Sequence, residues 1–326
     1  MLTVVMATKN RAHLLGRVLD SFAELQSPRG GWKLIAVDNG SIDGTPEVLK
    51  AYADRLPIQV LLEPTSGMNA ALNAALGAVE GDLLVKTDDD VLPCPGWLVE
   101  YRKAADEQPD RSVFGGTVSP EWPAPLPHWL TERAANFGIL YARSSRLTGP
   151  CALSDIYGPN WAIRSEVFSD GTRFDERIGP DSTQSFYPMG GETELFSRLQ
   201  AKGHLGWFVS EATIRHIVRP EQITERWILD RAYRNGLGVL ATCPPDCAKG
   251  PRIGGMPARL LLRTAMYGTL AGLVQLLPPS ELRLGILFRR SLLAGLTDSI
   301  RRNGAAPFRL KAETVGSADT QARSAS

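Results

Sequence analysis

Short apolar runs alternate with stripes of helical spacing over the first third of the chain. Residues 2–7 read as a strand, and Leu14, Leu15, Val18, Leu19 and Phe22 recur at the three- and four-residue intervals that line one side of a helix. Residues 33–38 predict a second strand. Thr45-Pro46 reads as a helix start, because Thr can cap free N–H groups and Pro is pre-set for the first helical position. Residues 58–63 predict a third strand, Met68, Leu72, Ala75, Leu76 and Val79 a helix face, and residues 83–87 a fourth strand. This strand–helix rhythm implies an α/β fold, a mostly parallel central sheet with helices on both faces. Ligands of such sheets bind beyond the carboxyl ends of the strands, where Thr8, Asp38 and the run Asp88, Asp89, Asp90 fall.

The later chain is less regular. Residues 119–150 are rich in proline, with Trp122, Trp129 and Tyr141 interspersed, and read as irregular functional loop. Order returns over 174–204, where Leu195, Phe196 and Leu199 have helical spacing and Gly203 is a natural stop. Residues 223–302 predict helices that mix leucine-rich faces with many arginines, and the last stretch to Ser326 lacks the apolar content to order itself.

Composition narrows the classes. A length of 326 residues fits a catalytic domain of roughly 200 to 250 residues with a smaller appendage. A net charge of +1 leaves no electrostatic footprint for nucleic acid. Cys94, Cys151, Cys243 and Cys247 are too few and scattered for a disulfide scaffold, which suggests a reducing compartment; Cys243 and Cys247 have near-metal spacing, but no second Cys or His pair lies close enough to expect zinc. The N-terminus lacks the pattern of a signal peptide, so a cytoplasmic location is expected. The longest apolar stretch, 264–277, is too short to span a bilayer. The arginine-edged segments 260–277 and 282–296 read either as a peripheral contact with an anionic membrane surface or as an ordinary helical cap or dimer contact.

Three adjacent carboxylates at a strand end raise one another's pKa unless a counter-charge offsets them, and a hard divalent cation is a natural partner; a solvated acidic turn before Pro93 is the alternative. His216, in an apolar strand, reads as a packed core residue or as a ligand, and Arg215 and Arg219 beside it as phosphate contacts or surface charges. Glu192 and Glu194 open a helix behind Gly190-Gly191, where favourable interaction with free N–H groups would by itself account for them.

Taken together, four segments resemble one family. Residues 4–11 (VVMATKNR), 35–45 (IAVDNGSIDGT) and 85–90 (VKTDDD) are similar to the nucleotide-sugar half of the family 2 glycosyltransferases with the GT-A fold. Residues 158–164 (GPNWAIR), then 190–195 (GGETEL) and His216, are similar to the acceptor and catalytic half, so the resemblance covers about residues 1 to 240. It implies a catalytic domain over 1–222, with the nucleotide-sugar half about 1–118 and the acceptor half 119–222, then a helical region over 223–302 and a disordered tail over 303–326. It also implies an inverting transfer from a nucleoside-diphosphate sugar, UDP-sugar foremost, to a saccharide or lipid-linked hydroxyl acceptor in cell-envelope polysaccharide or glycolipid synthesis.

The resemblance assigns residues as well. Asp38 would accept a hydrogen bond from the base or ribose, with an Asx turn to Ser41 or Ile42 as the bland alternative. Thr8, Arg11 and Asp88 join it on the nucleotide sugar. The aspartate run is similar to the DXD motif, which makes Asp90 a ligand of Mg²⁺ or Mn²⁺, with Asp88 assisting and His216 as a third candidate. Strand alternation would turn Asp89 the other way. The family's general base aligns with Glu192, although the family shows Glu-Asp where this chain has Gly191-Glu192; Asp181 is held in reserve. Asn160, Arg164 and Glu194 are expected on the acceptor side. Residues 67–70 (GMNA) lack the basic residue relatives often carry near the phosphates, which leaves Lys9 and Arg11 to serve there. Two other readings remain: a catalytically silent sugar-nucleotide-binding or scaffold protein, and a sugar nucleotidyltransferase, which the missing glycine-rich phosphate loop disfavours.

Overall fold

In the computed structural model, which describes residues 1–242 and 251–303, alternating faces of one sheet separate two apolar layers. Strand β1 (Leu2–Thr8) sends Leu2, Val4 and Met6 to one side and Val5 to the other. Helices α1 (Ala12–Ala23) and α2 (Thr45–Ala51) cover the first side, where Leu15, Leu19, Phe22 and Leu49 are buried. Strands β2 (Trp32–Asp38) and β3 (Ile58–Leu62) extend the sheet, and α3 (Met68–Leu76) covers the second side with Leu72 and Ala75. Strand β4 (Leu83–Asp88) completes a parallel block in the order β3-β2-β1-β4. Thr8 and Asp38 end their strands as a pair, and Asp88 ends β4 opposite Ala7, one residue before the end of β1, so the loops that follow open at one edge.

Beyond β4 the sheet becomes mixed. Strand β5 (Val91–Pro93), helix α4 (Trp97–Glu107) and strand β6 (Val113–Glu121) follow, then α5 (Phe137–Tyr141), β7 (Gly149–Cys151), β8 (Trp161–Arg164), α6 (Gly191–Ala201) and β9 (Gly206–Ile217). Sheet order continues β4-β8-β6-β9-β5, with β7 on β9; β8 is antiparallel to both neighbours and β6 is parallel to β9. The segment expected to be irregular therefore contains a short helix and an edge strand around its loops.

A β-bulge between Gly116 and Thr117 shifts the β6–β9 register, and Asn160 fills it. Its amide donates to the carbonyls of Thr117 and Ala212 at 2.8 Å each, and its oxygen accepts from Trp97 Nε1 at 2.8 Å and from Tyr101 at 2.7 Å. All four capacities of the side chain are used. A Cβ on Gly116 would lie 2.4 Å from that amide nitrogen, so no larger residue fits.

The C-terminal region is helical, as expected: α7 (Glu225–Thr242), a hairpin of β10 (Arg252–Ile253) and β11 (Met256–Pro257), α8 (Ala258–Val274) and α9 (Glu281–Asn303). Helices α7 and α9 approach closely at glycines; a Cβ on Gly236 would lie 2.1 Å from the Leu292 carbonyl oxygen, and one on Gly295 2.1 Å from that of Tyr233. Helix α7 also docks on the loop before α6, where the Met189 amide donates to the Arg234 carbonyl at 3.2 Å. Cys243, Cys247 and residues 304–326 lie outside the described residues.

Candidate active site

A cleft of about 550 Å³ lies beyond the carboxyl ends of β1 and β4 and is walled on its far side by α6 and α7. Its floor is the turn after β4. Asp88, Asp89 and Asp90 all line it, as do Thr8, Lys9 and Arg11. The alternation expected to turn Asp89 away stops at Asp88, because the chain leaves the strand there for a turn. Asp89 instead meets Arg11, whose Nε donates to both carboxylate oxygens at 3.2 Å.

Two interlocked loops hold Arg11 in place. Asn10, in the left-handed region at φ 54°, donates its amide to Ser41 Oγ and accepts from the Ile42 amide, both at 2.9 Å. The Arg11 amide donates to Thr45 Oγ1 at 2.8 Å, while Asp43 accepts from the Thr45 amide at 3.0 Å. The 43–46 segment is thus a turn and helix start. Asp38, buried at the end of β2, accepts from the Ser41 amide at 2.9 Å through Oδ1, which is the Asx turn anticipated; its Oδ2 has no hydrogen bond among the described residues. Neighbouring Asn39 lines the cleft itself.

Strand pairing brings together two residues distant in sequence. Val91 lies opposite His216 in the β5–β9 register, and the Ile217 amide donates to the Asp90 carbonyl at 2.8 Å. His216 Nε2 consequently stands 3.4 Å from Asp90 Oδ1. Its Nδ1 is 2.9 Å from the Tyr141 carbonyl oxygen, an acceptor, which assigns the proton to Nδ1 and leaves Nε2 to face the carboxylate. Arg219 Nη1 sits 3.3 Å from Asp90 Oδ2, whereas Arg215 points to the other side of the strand and pairs with Glu121 at 2.8 Å.

These contacts split the carboxylates electrostatically. Burial pushes Asp89 up to about 6, with Asp90 and Asp88 adding to the rise and Arg11 opposing it. Burial would raise Asp90 too, but His216, Arg11 and Arg219 outweigh it and hold this group well below the usual carboxylate range. Burial works against protonation of His216, and the Asp90 carboxylate overcomes it and raises the imidazole. Asp88 is ion-paired with the buried Lys86.

Asp90 Oδ1 and His216 Nε2 form a mixed oxygen–nitrogen donor pair open to the cleft, with the ring fixed from behind by a backbone carbonyl, the second-sphere arrangement metal-ligating histidines use. Among the described residues no cluster of three His, Cys, Asp or Glu ligands exists. The residues present fit an ion that takes its remaining ligands from substrate phosphates and water, as Mg²⁺ does.

Opposite, α6 follows Gly190, whose φ of 103° is one L side chains rarely adopt, and presents Glu192 to the cleft. Glu192 Oε1 accepts from the Gly158 amide at 3.2 Å; Oε2 has no hydrogen bond among the described residues. The glycine at 191, where the family's pattern has Glu, has a local cause: a Cβ there would lie 2.6 Å from Asn69 Nδ2, and Asn69 is anchored to the carbonyls of Asp175 and Ile178. Asp181 lines the cleft as well, but although burial opposes its ionisation, hydrogen bonds from Thr183, Gln184 and Ser66 lower it to about 2, which makes it a poor proton acceptor.

Three residues expected on the acceptor side stand elsewhere. Asn160 is committed to the bulge, 1% exposed. Arg164 faces the carbonyls of Ala105, Gln108 and Arg111 at 2.7 to 3.1 Å, tying α4 to the sheet. Glu194, two residues from Glu192 and so on another side of α6, pairs with Arg198 at 2.7 Å. The cleft wall that periodicity did not single out comes from α7: Trp227, Arg231 and Arg234 line it. Arg231 lies over the Trp227 ring and Arg234 over that of Tyr187, and neither has a carboxylate partner among the described residues. Trp227, Arg231 and Arg234 at helical spacing were the available signal, hidden among many arginines of that region.

Comparison with known proteins agrees with this fold. The sequence profile of Glycosyl transferase family 2 matches residues 3–172. A validoxylamine A glucosyltransferase of Streptomyces hygroscopicus subsp. jinggangensis is 31% identical over 137 residues, which cover 40% of this chain and 32% of that one, so the match spans less than half of the relative's length. Glycosyltransferase AglE of Haloferax volcanii is 27% identical over 220 residues, 67% of each chain. In fold, the chain resembles the mannosyltransferase PcManGT of Pyrobaculum calidifontis, solved with GDP-Man and Mn²⁺, at a TM-score of 0.60 and 19% identity over 93% of this chain and 87% of that one. The neighbour is a GT-A glycosyltransferase, and the sheet and flanking helices described above share that fold.

Proposed function

Since the chain belongs to glycosyl transferase family 2, we propose that it transfers a sugar from a nucleoside-diphosphate sugar to a hydroxyl acceptor, with inversion at the anomeric carbon. The observation that carries this reading is one cleft bounded by Asp90, His216 and Arg219 on the floor and by Glu192 on the opposite wall. Lys9, Arg11 and Arg219 among the floor carboxylates suit a diphosphate leaving group, and a carboxylate with a free oxygen suits a proton acceptor. Residues 1–222 form the catalytic domain in this reading, and the helical region 223–302 supplies one wall through α7.

Asp38 and Thr8 would orient the nucleoside, UDP foremost, and Lys9, Arg11 and Arg219 would draw the diphosphate to the floor. Asp90 and His216, with Asp88 beside them, would hold a Mg²⁺ or Mn²⁺ ion; when bound, such an ion offsets the charge that accumulates on the departing diphosphate. Glu192 takes the proton of the acceptor hydroxyl as its oxygen bonds to the anomeric carbon, and the bond from that carbon to the phosphate oxygen breaks on the opposite face, its electron pair leaving with the nucleoside diphosphate. Support for the metal and for a nucleoside-diphosphate sugar donor comes from the PcManGT structure, which holds GDP-Man and Mn²⁺, and support for transfer of a sugar comes from the glucosyltransferase name of the Streptomyces relative. A saccharide or lipid-linked acceptor in envelope polymer or glycolipid synthesis follows this reading.

The test is turnover: purified protein, Mn²⁺ and a panel of nucleotide sugars, with release of nucleoside diphosphate measured and product anomers assigned by NMR. Release from one donor with an inverted product supports the reading; a retained configuration or no release from any donor with added acceptors rejects it.

A further inference from the structure

Helix α8 is apolar on two opposite sides. One side packs inward: Leu260 is buried with Leu293 and Ile300 of α9, and Ala271 and Val274 with Leu287. On the other, Leu262 is 72% exposed, Met266 46% and Leu273 66%, and Leu276 at 90% continues the line past the helix end. At about 100° per residue these positions fall within an arc of roughly 80°, facing away from the buried side. These exposures mean that no described part of the chain covers this face, and on its flank a Cβ added at Gly272 would meet nothing within 4 Å. A helix apolar all round normally has cover on every side, and a contiguous exposed apolar strip marks an interaction surface.

Charge selects the partner. Residues 251–280 contain Arg252, Arg259 and Arg263 and no Asp or Glu, and Arg259 and Arg263 are exposed beside the strip. Two copies meeting through this face would bring arginines together with no acid on the helix to offset them. Segments 243–250 and 304–326 contain only Phe308, Leu310 and Val315 as large apolar side chains, too little to bury the strip. An anionic lipid surface satisfies both features, because acyl chains accept the leucines and headgroups the guanidiniums. The helix has 17 residues, about 25 Å against a hydrocarbon core of about 30 Å, and among the described residues no helix is long and apolar enough to cross a membrane.

We propose that the exposed face of α8 docks the protein on an anionic bilayer, with the helix lying along the surface. This deepens the notion of a membrane-proximal acceptor, but lipid binding is read without turnover, so failure of either reading leaves the other measurable. The full chain is sedimented with vesicles of phosphatidylcholine alone or with about one third phosphatidylglycerol, at low and high salt. Binding to the anionic vesicles, weakened by salt and lowered at least about tenfold by Leu262→Glu/Leu273→Glu, supports the proposal. Arg259→Gln/Arg263→Gln is expected to remove the preference for the anionic vesicles. Far-ultraviolet circular dichroism and melting of the leucine variant report its folding, and Leu262→Ser/Leu273→Ser provides a neutral second variant. Equal sedimentation of wild type and both leucine variants overturns the proposal, as does a concentration-dependent dimer without lipid that Leu262→Glu dissociates.

Discussion

His216 Nε2 faces Asp90 Oδ1 at 3.4 Å while its opposite nitrogen is held by the Tyr141 carbonyl. The β5–β9 pairing builds this relationship, since Val91 and His216 are register partners and Asp90 is the residue before Val91. A histidine held in this way has its lone pair aimed into the cleft, which is what a metal ligand requires. His216→Ala is accordingly expected to weaken Mn²⁺ binding by at least about tenfold in calorimetry with nucleoside diphosphate present. Unchanged affinity would remove His216 from the ligand set.

The same pair predicts how pH acts on the metal-free protein. His216 is raised in the folded state, so the stability it contributes is full below its unfolded value near 6.5 and is lost as pH rises through the folded value. Asp89 is raised to about 6 and therefore binds more protons folded than unfolded between about 4 and 6, so stability also falls with rising pH there. Asp90 is lowered and acts oppositely, its contribution being lost as pH falls below about 4. Melting temperature without metal should peak near pH 4 and decline toward pH 8. Mn²⁺ competes with the His216 proton, so its stabilising shift should be larger at about pH 8 than at about pH 5.5. A shift that is equal or larger at the lower pH contradicts the pairing.

Asn160 supports the sheet, so its removal should cost stability. Asn160→Leu strands the Trp97 N–H, the Tyr101 hydroxyl and two carbonyls, and is expected to destabilise by at least about 3 kcal/mol in urea unfolding, since each buried orphan costs about 1–3 kcal/mol. A neutral effect would mean that the bulge repacks without it.

Position 191 makes a steric prediction. Gly191→Ala drives a Cβ to within 2.6 Å of Asn69, and should destabilise by about 1–3 kcal/mol. The double variant with Asn69→Ala should lose less stability than the sum of the two single losses, because the clash is then gone, and a purely additive cycle would show that the contact relaxes at no cost.

The N-terminal half was legible because its strands and helices repeat with clean periods and because Asp38 and the aspartate run stop at strand ends. Alternation misjudged Asp89 because the rule ends where β4 does, one residue earlier. Asn160 and Arg164 carried the right local motif, but what decides their roles lies far off in sequence: for Asn160 a bulge between strands 43 and 52 residues away, for Arg164 the carbonyls of Ala105, Gln108 and Arg111. The α7 wall was hidden for the same reason: Trp227, Arg231 and Arg234 read as part of an arginine-rich helical region, and only the docking of α7 on the loop before Gly190 turns them toward the cleft.

The account depends most on Glu192 as the proton acceptor. The most direct measurement is single-turnover release of nucleoside diphosphate by Glu192→Gln in the presence of acceptor and Mn²⁺, alongside calorimetric nucleotide binding. The account predicts a rate lower by about 10² to 10⁴ with nucleotide affinity unchanged. A wild-type rate in the variant, or a loss of rate that follows a matching loss of nucleotide binding, would contradict it.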